Sequence, residues 1–65
     1  MKVRSNFRRE LKENAEAAVA SIPPLVRGCK WDRLAREALA AGDHSYALEY
    51  AEAAIDFAHG METAP

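Results

Sequence analysis

The segment Trp31–Ala58 carries a Gly-Asp pair, Gly42-Asp43, flanked on both sides by residues that favour helix. Glycine ends a helix readily because it accepts the left-handed conformation, and Asp is a preferred first cap of the next helix. A stop followed directly by a start leaves almost no loop, so the two helices must fold back antiparallel. The apolar spacing agrees. Trp31, Leu34, Ala35, Ala38 and Ala41 fall on one side of a helix over about residues 30–41. Leu48, Ala51, Ile55 and Ala58 do the same over about residues 44–58.

Upstream, Phe7, Leu11, Ala15, Ala18 and Ile22 recur at helical spacing and predict a further helix over about residues 5–22, capped by Ser5 or Asn6. Pro23-Pro24 ends it, since a residue before proline avoids the helical region. Residues 23–29 read as a linker whose PPLVRG stretch turns at Gly28, and residues 60–65 read as a fraying tail. No segment has strand periodicity. The expectation is one all-α domain over residues 1–65, a small three-helix bundle ending in an antiparallel hairpin.

Such a core has little bulk. Hydrophobic residues are 49% of the 65, but 14 of them are Ala. Ala-lined helices approach closely while each contact buries little area, and a chain this short buries only roughly 60% of its unfolded surface. Self-association or a covering partner is therefore expected. The single Cys29 forms no internal disulfide, and no continuous apolar run is long enough to span a membrane, which together suggest a cytoplasmic protein.

The net charge of −1 conceals a split. Residues 1–36 hold all nine Lys and Arg against four acids, a net of +5. Residues 37–65 hold six acids and no Lys or Arg. Within the basic half, Arg9–Glu13, Lys12–Glu16 and Asp32–Arg36 are spaced as i,i+4 pairs, only the last in the favourable acid-first order.

The hairpin resembles a single tetratricopeptide repeat. Trp31, Leu34 and Ala35 stand at the Trp, Leu and small positions of that repeat's first helix, Gly42-Asp43 at its turn, and Ala47 and Ala54 at the small positions of its second. Ala38 and Ala51 stand where the pattern prefers aromatics, Ala35 where it prefers Gly, and His59 where a Pro would close the unit. The resemblance covers residues 31–58 and implies a protein-binding scaffold. The family works as arrays, so it implies no ligand residue here.

Four surface patterns bear on function. Glu49, Glu52 and Asp56, with Ser45, share one narrow face of the last helix, with Glu37 and Asp43 close by in sequence and no cation among them. Such a row suits a basic groove or imitates the charge row of a nucleic-acid backbone. Tyr46, Tyr50 and Phe57, with Ala53, form an aromatic edge beside the inner face; the first helix is expected to pack across it, the alternative being a partner or dimer surface. Lys2, Arg4, Arg8, Arg9 and Lys12 form a basic arm suited to phosphates, although Glu10, Glu13 and Glu16 interrupt it. His44, His59 and Cys29 have no spacing that assembles a metal or catalytic site, and no phosphate loop or nucleophile elbow occurs.

The expectation is a non-enzymatic binding protein without cofactor or metal. It docks through Glu37, Asp43, Glu49, Glu52, Asp56, Tyr46, Tyr50 and Phe57 on a basic, nucleic-acid-binding surface of another protein. In small size, initial Met1 and lack of catalytic groups the chain is similar to phage-encoded inhibitors, anti-CRISPR proteins among them. The alternatives are a nucleic-acid binder using Arg4, Arg8, Arg9 and Lys12, and a homodimeric assembly module.

Overall fold

The computed structural model describes the backbone of residues 3–63 and the side chains of residues 7–63. Helix α1 spans Val3–Ala20, a short 3-10 turn spans Pro24–Val26, α2 spans Lys30–Ala41 and α3 spans His44–Thr63. The described residues form an all-α three-helix bundle without strands.

The Gly42 turn has the geometry its sequence predicts. Gly42 sits at φ 85°. Its N–H donates to Leu39 O at 3.1 Å, and the Asp43 N–H donates to Ala38 O at 2.9 Å. This paired pattern satisfies carbonyls that the end of α2 would otherwise leave free. Helices α2 and α3 are thereby antiparallel neighbours. Helix α1 packs on α3 as well but meets α2 only slightly, so α3 is the central helix. Leu11 and Lys12 lie level with Gly42 and His44 at one end. Toward the other end, Val19 and Ile22 share a cluster with Ala54 and Ala58. Thus α1 runs parallel to α3. The molecule is flat and long, 51 × 20 × 13 Å. A 20-residue helix is only about 30 Å long, so the helices are staggered and the first turns of α1 project past the Gly42 turn.

The interior is built of alanine. Ala15, Ala35, Ala47, Ala51 and Ala54 are 0% exposed and Ala58 is 1% exposed. Val19, Ile22 and Val26 plug the end where α1, the 3-10 turn and α3 converge. Trp31, Leu39, Tyr50 and Ile55 pack against this core only in part.

One buried charge fastens the linker to α2. Asp32 is 2% exposed. Its Oδ2 accepts from the Gly28 N–H at 2.8 Å and its Oδ1 from Arg36 Nε at 2.9 Å. Gly28, at φ 87°, aims that N–H back at the helix. Cys29 caps α2, its Sγ accepting from the Asp32 N–H at 3.5 Å. The Gly28 N–H holds the Asp32 carboxyl below its ordinary value; burial opposes this, and Arg36 assists.

Four expectations are corrected. Helix α1 occupies residues 3–20 rather than 5–22, so Ser5 and Asn6 lie inside it, and Ile22 packs from the linker. The tail does not fray at residue 60. Gly60 stays helical, and Thr63 Oγ1 donates to His59 O at 2.9 Å, closing the last turn; residues 64–65 lie outside the described residues. Phe7 is not core but 63% exposed, because it rides on the projecting end of α1, whereas the unforeseen Val19 is buried. Finally, Arg9–Glu13 and Lys12–Glu16 do not close; among the described residues the ion pair within 4.0 Å is Arg36–Asp32. Exposed pairs in the reversed order gain too little to hold two long side chains together.

Replacing Asp32 with Asn removes the charge from both hydrogen bonds and is expected to cost about 1–3 kcal/mol at pH 7. Because the folded pKa is lowered, wild-type Asp32 contributes fully above the unfolded value of about 3.9 and loses that contribution as pH falls through the folded value. Urea unfolding of both proteins at pH 7 and near pH 3 should therefore show the gap closing in acid. Gly42→Ala, forced to φ 85°, is expected to lose about 1–2 kcal/mol in the same assay.

Candidate functional site

The residues singled out in the sequence divide into three surfaces, set by where each lies around and along α3. The first is the acidic row. Ser45, Glu49, Glu52 and Asp56 are all exposed, on the side of α3 opposite the buried Ala47, Ala51, Ala54 and Ala58. Along the axis Glu49 to Glu52 rises about 4.5 Å and Glu52 to Asp56 about 6 Å. No described cation lies within 4.0 Å of these carboxylates. The fold neither neutralises nor uses them.

The second surface is the aromatic edge, which lies on the α2 side of α3. Tyr50 is half-buried, with Trp31 of α2 stacked on it at a centroid distance of 6.1 Å and 26° between planes. Tyr46 continues the ladder, 6.1 Å and 23° from Tyr50. Lys30 Nζ sits 5.2 Å from the Trp31 ring centre at the opposite end. The expectation that the first helix covers this edge is corrected. Tyr46 is 57% exposed and Phe57 is 47% exposed. Helix α1 approaches the other flank of α3, at His44, and leaves the aromatics to α2. Ala53 is half-buried between them. Met61, one turn beyond Phe57, extends the strip and is also 47% exposed. Its i+4 spacing from Phe57 was a legible signal, hidden only by the expected fraying.

Between α2 and the start of α3 the ladder borders a shallow open groove of about 280 Å³. Leu34, Ala38, Ala41, Tyr46 and Tyr50 line it together with the exposed Glu37 and Asp43. Glu37 and Asp43 therefore belong to this groove and not to the outer acidic row. The volume falls just below the roughly 300–1,000 Å³ of small-molecule pockets. It suits one inserted side chain better than a whole ligand.

The third surface is basic. Arg8 and Arg9 are exposed toward the projecting end of α1 and Lys12 at its base. With Leu11 they face Gly42 and His44 across a wider notch of about 600 Å³. The notch adjoins both the C-terminal end of α2 and the N-terminal end of α3, so the opposite dipole ends leave no net preference for either charge there. Lys2 and the side chain of Arg4 lie outside the described residues.

Among the described residues, no three His, Cys, Asp or Glu side chains gather as a metal site, and no helix is long and apolar enough to cross a membrane. No family model matches the chain, and no curated protein or solved structure matches it.

The two tyrosines differ in what the fold asks of them. Tyr50→Ala removes the ring that Trp31 stacks on and is expected to cost about 2–3 kcal/mol. Tyr46→Ala should stay within about 0.5 kcal/mol. Chemical denaturation followed through Trp31 fluorescence separates them; equal losses would mean that Tyr46 is a fold residue and not free surface.

Proposed function

We propose that this chain is a non-enzymatic binding protein that docks the outer side of α3 on a basic surface of another protein. The observation that carries the reading is the exposed row Glu49, Glu52 and Asp56, without a described cation in reach, beside the exposed Tyr46 and Phe57. Unpaired carboxylates on a fold this small cost self-repulsion and contribute no packing. Exposed aromatics next to them supply the apolar anchors that interface centres favour. A carboxylate row stepping about 4.5–6 Å along a rigid helix is also a fair imitation of backbone phosphates. The finer reading is therefore an inhibitor that covers a nucleic-acid-binding surface, of the kind phage-encoded anti-CRISPR proteins exemplify. The α2–α3 hairpin serves as the scaffold, in the manner of a single tetratricopeptide-like unit whose small positions, Ala47 and Ala54, let the helices cross closely.

A second reading has one observation in its favour. Arg8, Arg9 and Lys12 lie together at the notch beside Gly42, where they could meet phosphates directly. Such binding would fall steeply with added salt, and the acidic row would oppose it on the adjoining side.

The test is the triple reversal Glu49→Lys, Glu52→Lys, Asp56→Lys. It is expected to leave helix content and unfolding midpoint nearly unchanged, since exposed charges contribute little to stability. Association with a basic partner recovered from a host lysate should be lost. Retention of that association by the folded variant would remove the acidic row from the function. Salt-sensitive binding of duplex DNA, abolished by Arg8→Glu with Arg9→Glu, would support the second reading instead.

A further inference from the structure

Among the described residues no ion pair within 4.0 Å joins the two complementary halves of the charge split. Arg8 and Arg9 are exposed toward the projecting end of α1 and Lys12 at its base, level with Gly42, and none lies within 4.0 Å of a described carboxylate. Glu37 and Asp43 line the α2–α3 groove, exposed and likewise without a described cation. The apolar parts divide in the same way. Phe7 is 63% exposed on the α1 projection and contributes nothing to the lining of its own groove. The groove meanwhile is lined by Leu34, Ala38, Ala41, Tyr46 and Tyr50 beside its two acids.

We propose that the occupant of the groove is the α1 projection of a second copy of this chain. Phe7 packs over Leu34 and Ala38 against the groove side of the stacked Tyr46–Tyr50 pair, while Arg8, Arg9 and Lys12 pair with Glu37 and Asp43. The arrangement closes by symmetry. Projection and groove both lie at the Gly42 end of the molecule, as the notch joining Arg8, Lys12 and Gly42 shows. A two-fold axis near that end lays each projection across the other copy's groove, so both contacts form at once and no free end remains. Pairing groove to groove would instead bring Glu37 and Asp43 against their own copies, and like charges at an interface are costly. Each copy contributes the cations and the aromatic that the other's groove lacks. The dimer leaves the outer row Glu49, Glu52 and Asp56 free. It also leaves Phe57 free but covers Tyr46, so in the dimer docking on a foreign protein rests on the acidic row with Phe57. The reversals at Glu49, Glu52 and Asp56 test docking, and those at Arg8, Arg9, Lys12, Glu37 and Asp43 test self-association.

The experiment is sedimentation velocity of the full chain over a wide concentration range, at low and at high salt. The wild type is expected to dimerise at low salt, with a dissociation constant that rises by roughly tenfold or more at high salt as screening shortens the reach of the charges. Phe7→Ala should weaken the dimer by about tenfold, the order expected for an aromatic anchor. The variants Arg8→Glu/Arg9→Glu/Lys12→Glu and Glu37→Lys/Asp43→Lys should each be monomeric. Mixed together they should re-form a heterodimer, because the reversed projection meets the reversed groove and the unaltered projection meets the unaltered groove. All the substituted side chains are exposed, and circular dichroism confirms that each variant is folded. A concentration-independent monomer for the wild type at low salt would overturn the proposal. So would a dimer indifferent to both reversals, or reversed variants that remain monomeric when mixed.

Discussion

Everything in this fold depends on alanine contacts at the crossing of α3 with its neighbours. Ala47, Ala51 and Ala54 of α3, Ala35 of α2 and Ala15 of α1 are all fully buried. A methyl group lets two backbones approach closely, but it removes little apolar surface from water. Close packing is obtained at the expense of bulk. In a chain of 65 residues the consequence is direct, because there is no second layer to hold the larger side chains. Trp31, Leu39, Tyr50 and Ile55 lodge at the margins of the core. Phe7, Leu25, Tyr46, Phe57 and Met61 end up largely in solvent. The rich surface of this molecule is therefore the other side of its lean interior.

With so thin a core, polar fastenings carry weight. Asp32 is buried and doubly bonded, and it joins the linker, through Gly28, to the first turn of α2. Breaking one partner of such a bond leaves a buried charge unsatisfied, which costs more than the bond itself contributes. Gly28 and Arg36 converge on this single carboxylate, while Cys29 Sγ accepts from the backbone N–H of the same residue. The carboxylates of α3 lack such company: Glu49, Glu52 and Asp56 face outward with no described cation near them. The same residue type thus serves the fold in one helix and is left for other uses in another.

Much of this was legible in the sequence where the signal is local. Gly42 specifies the turn because only a short list of residues accepts φ near +85°, while Asp43 opens α3 through its carbonyl, which accepts from the Ala47 N–H at 2.9 Å. The Asp32–Arg36 spacing predicted the ion pair but not its burial, which depends on a loop folding back from Gly28. The acidic row was legible because periodicity alone places Glu49, Glu52 and Asp56 together. What periodicity could not supply was the placement of α1. A wheel projection treats Phe7 and Ile22 alike, yet stagger carries Phe7 past the end of α3 while Ile22 is buried. For the same reason the sequence assigned α1 to cover the aromatic edge, whereas α1 lies on the opposite flank and Trp31 stacks there instead. Glu37 and Asp43 were grouped with the acidic row by nearness in sequence, and the hairpin separates them into the groove.

The molecule divides its labour between an alanine interior that holds the helices and an outer side of α3 that the fold does not need. The most direct measurement is the urea-unfolding free energy of a variant in which Tyr46, Phe57 and Met61 become Ser and Glu49, Glu52 and Asp56 become Gln, taken at dilution so that association plays no part. A value within about 1 kcal/mol of wild type is expected, since exposed substitutions usually move stability little. A loss of several kcal/mol, comparable to that of a core substitution, would contradict this division and return these residues to the fold.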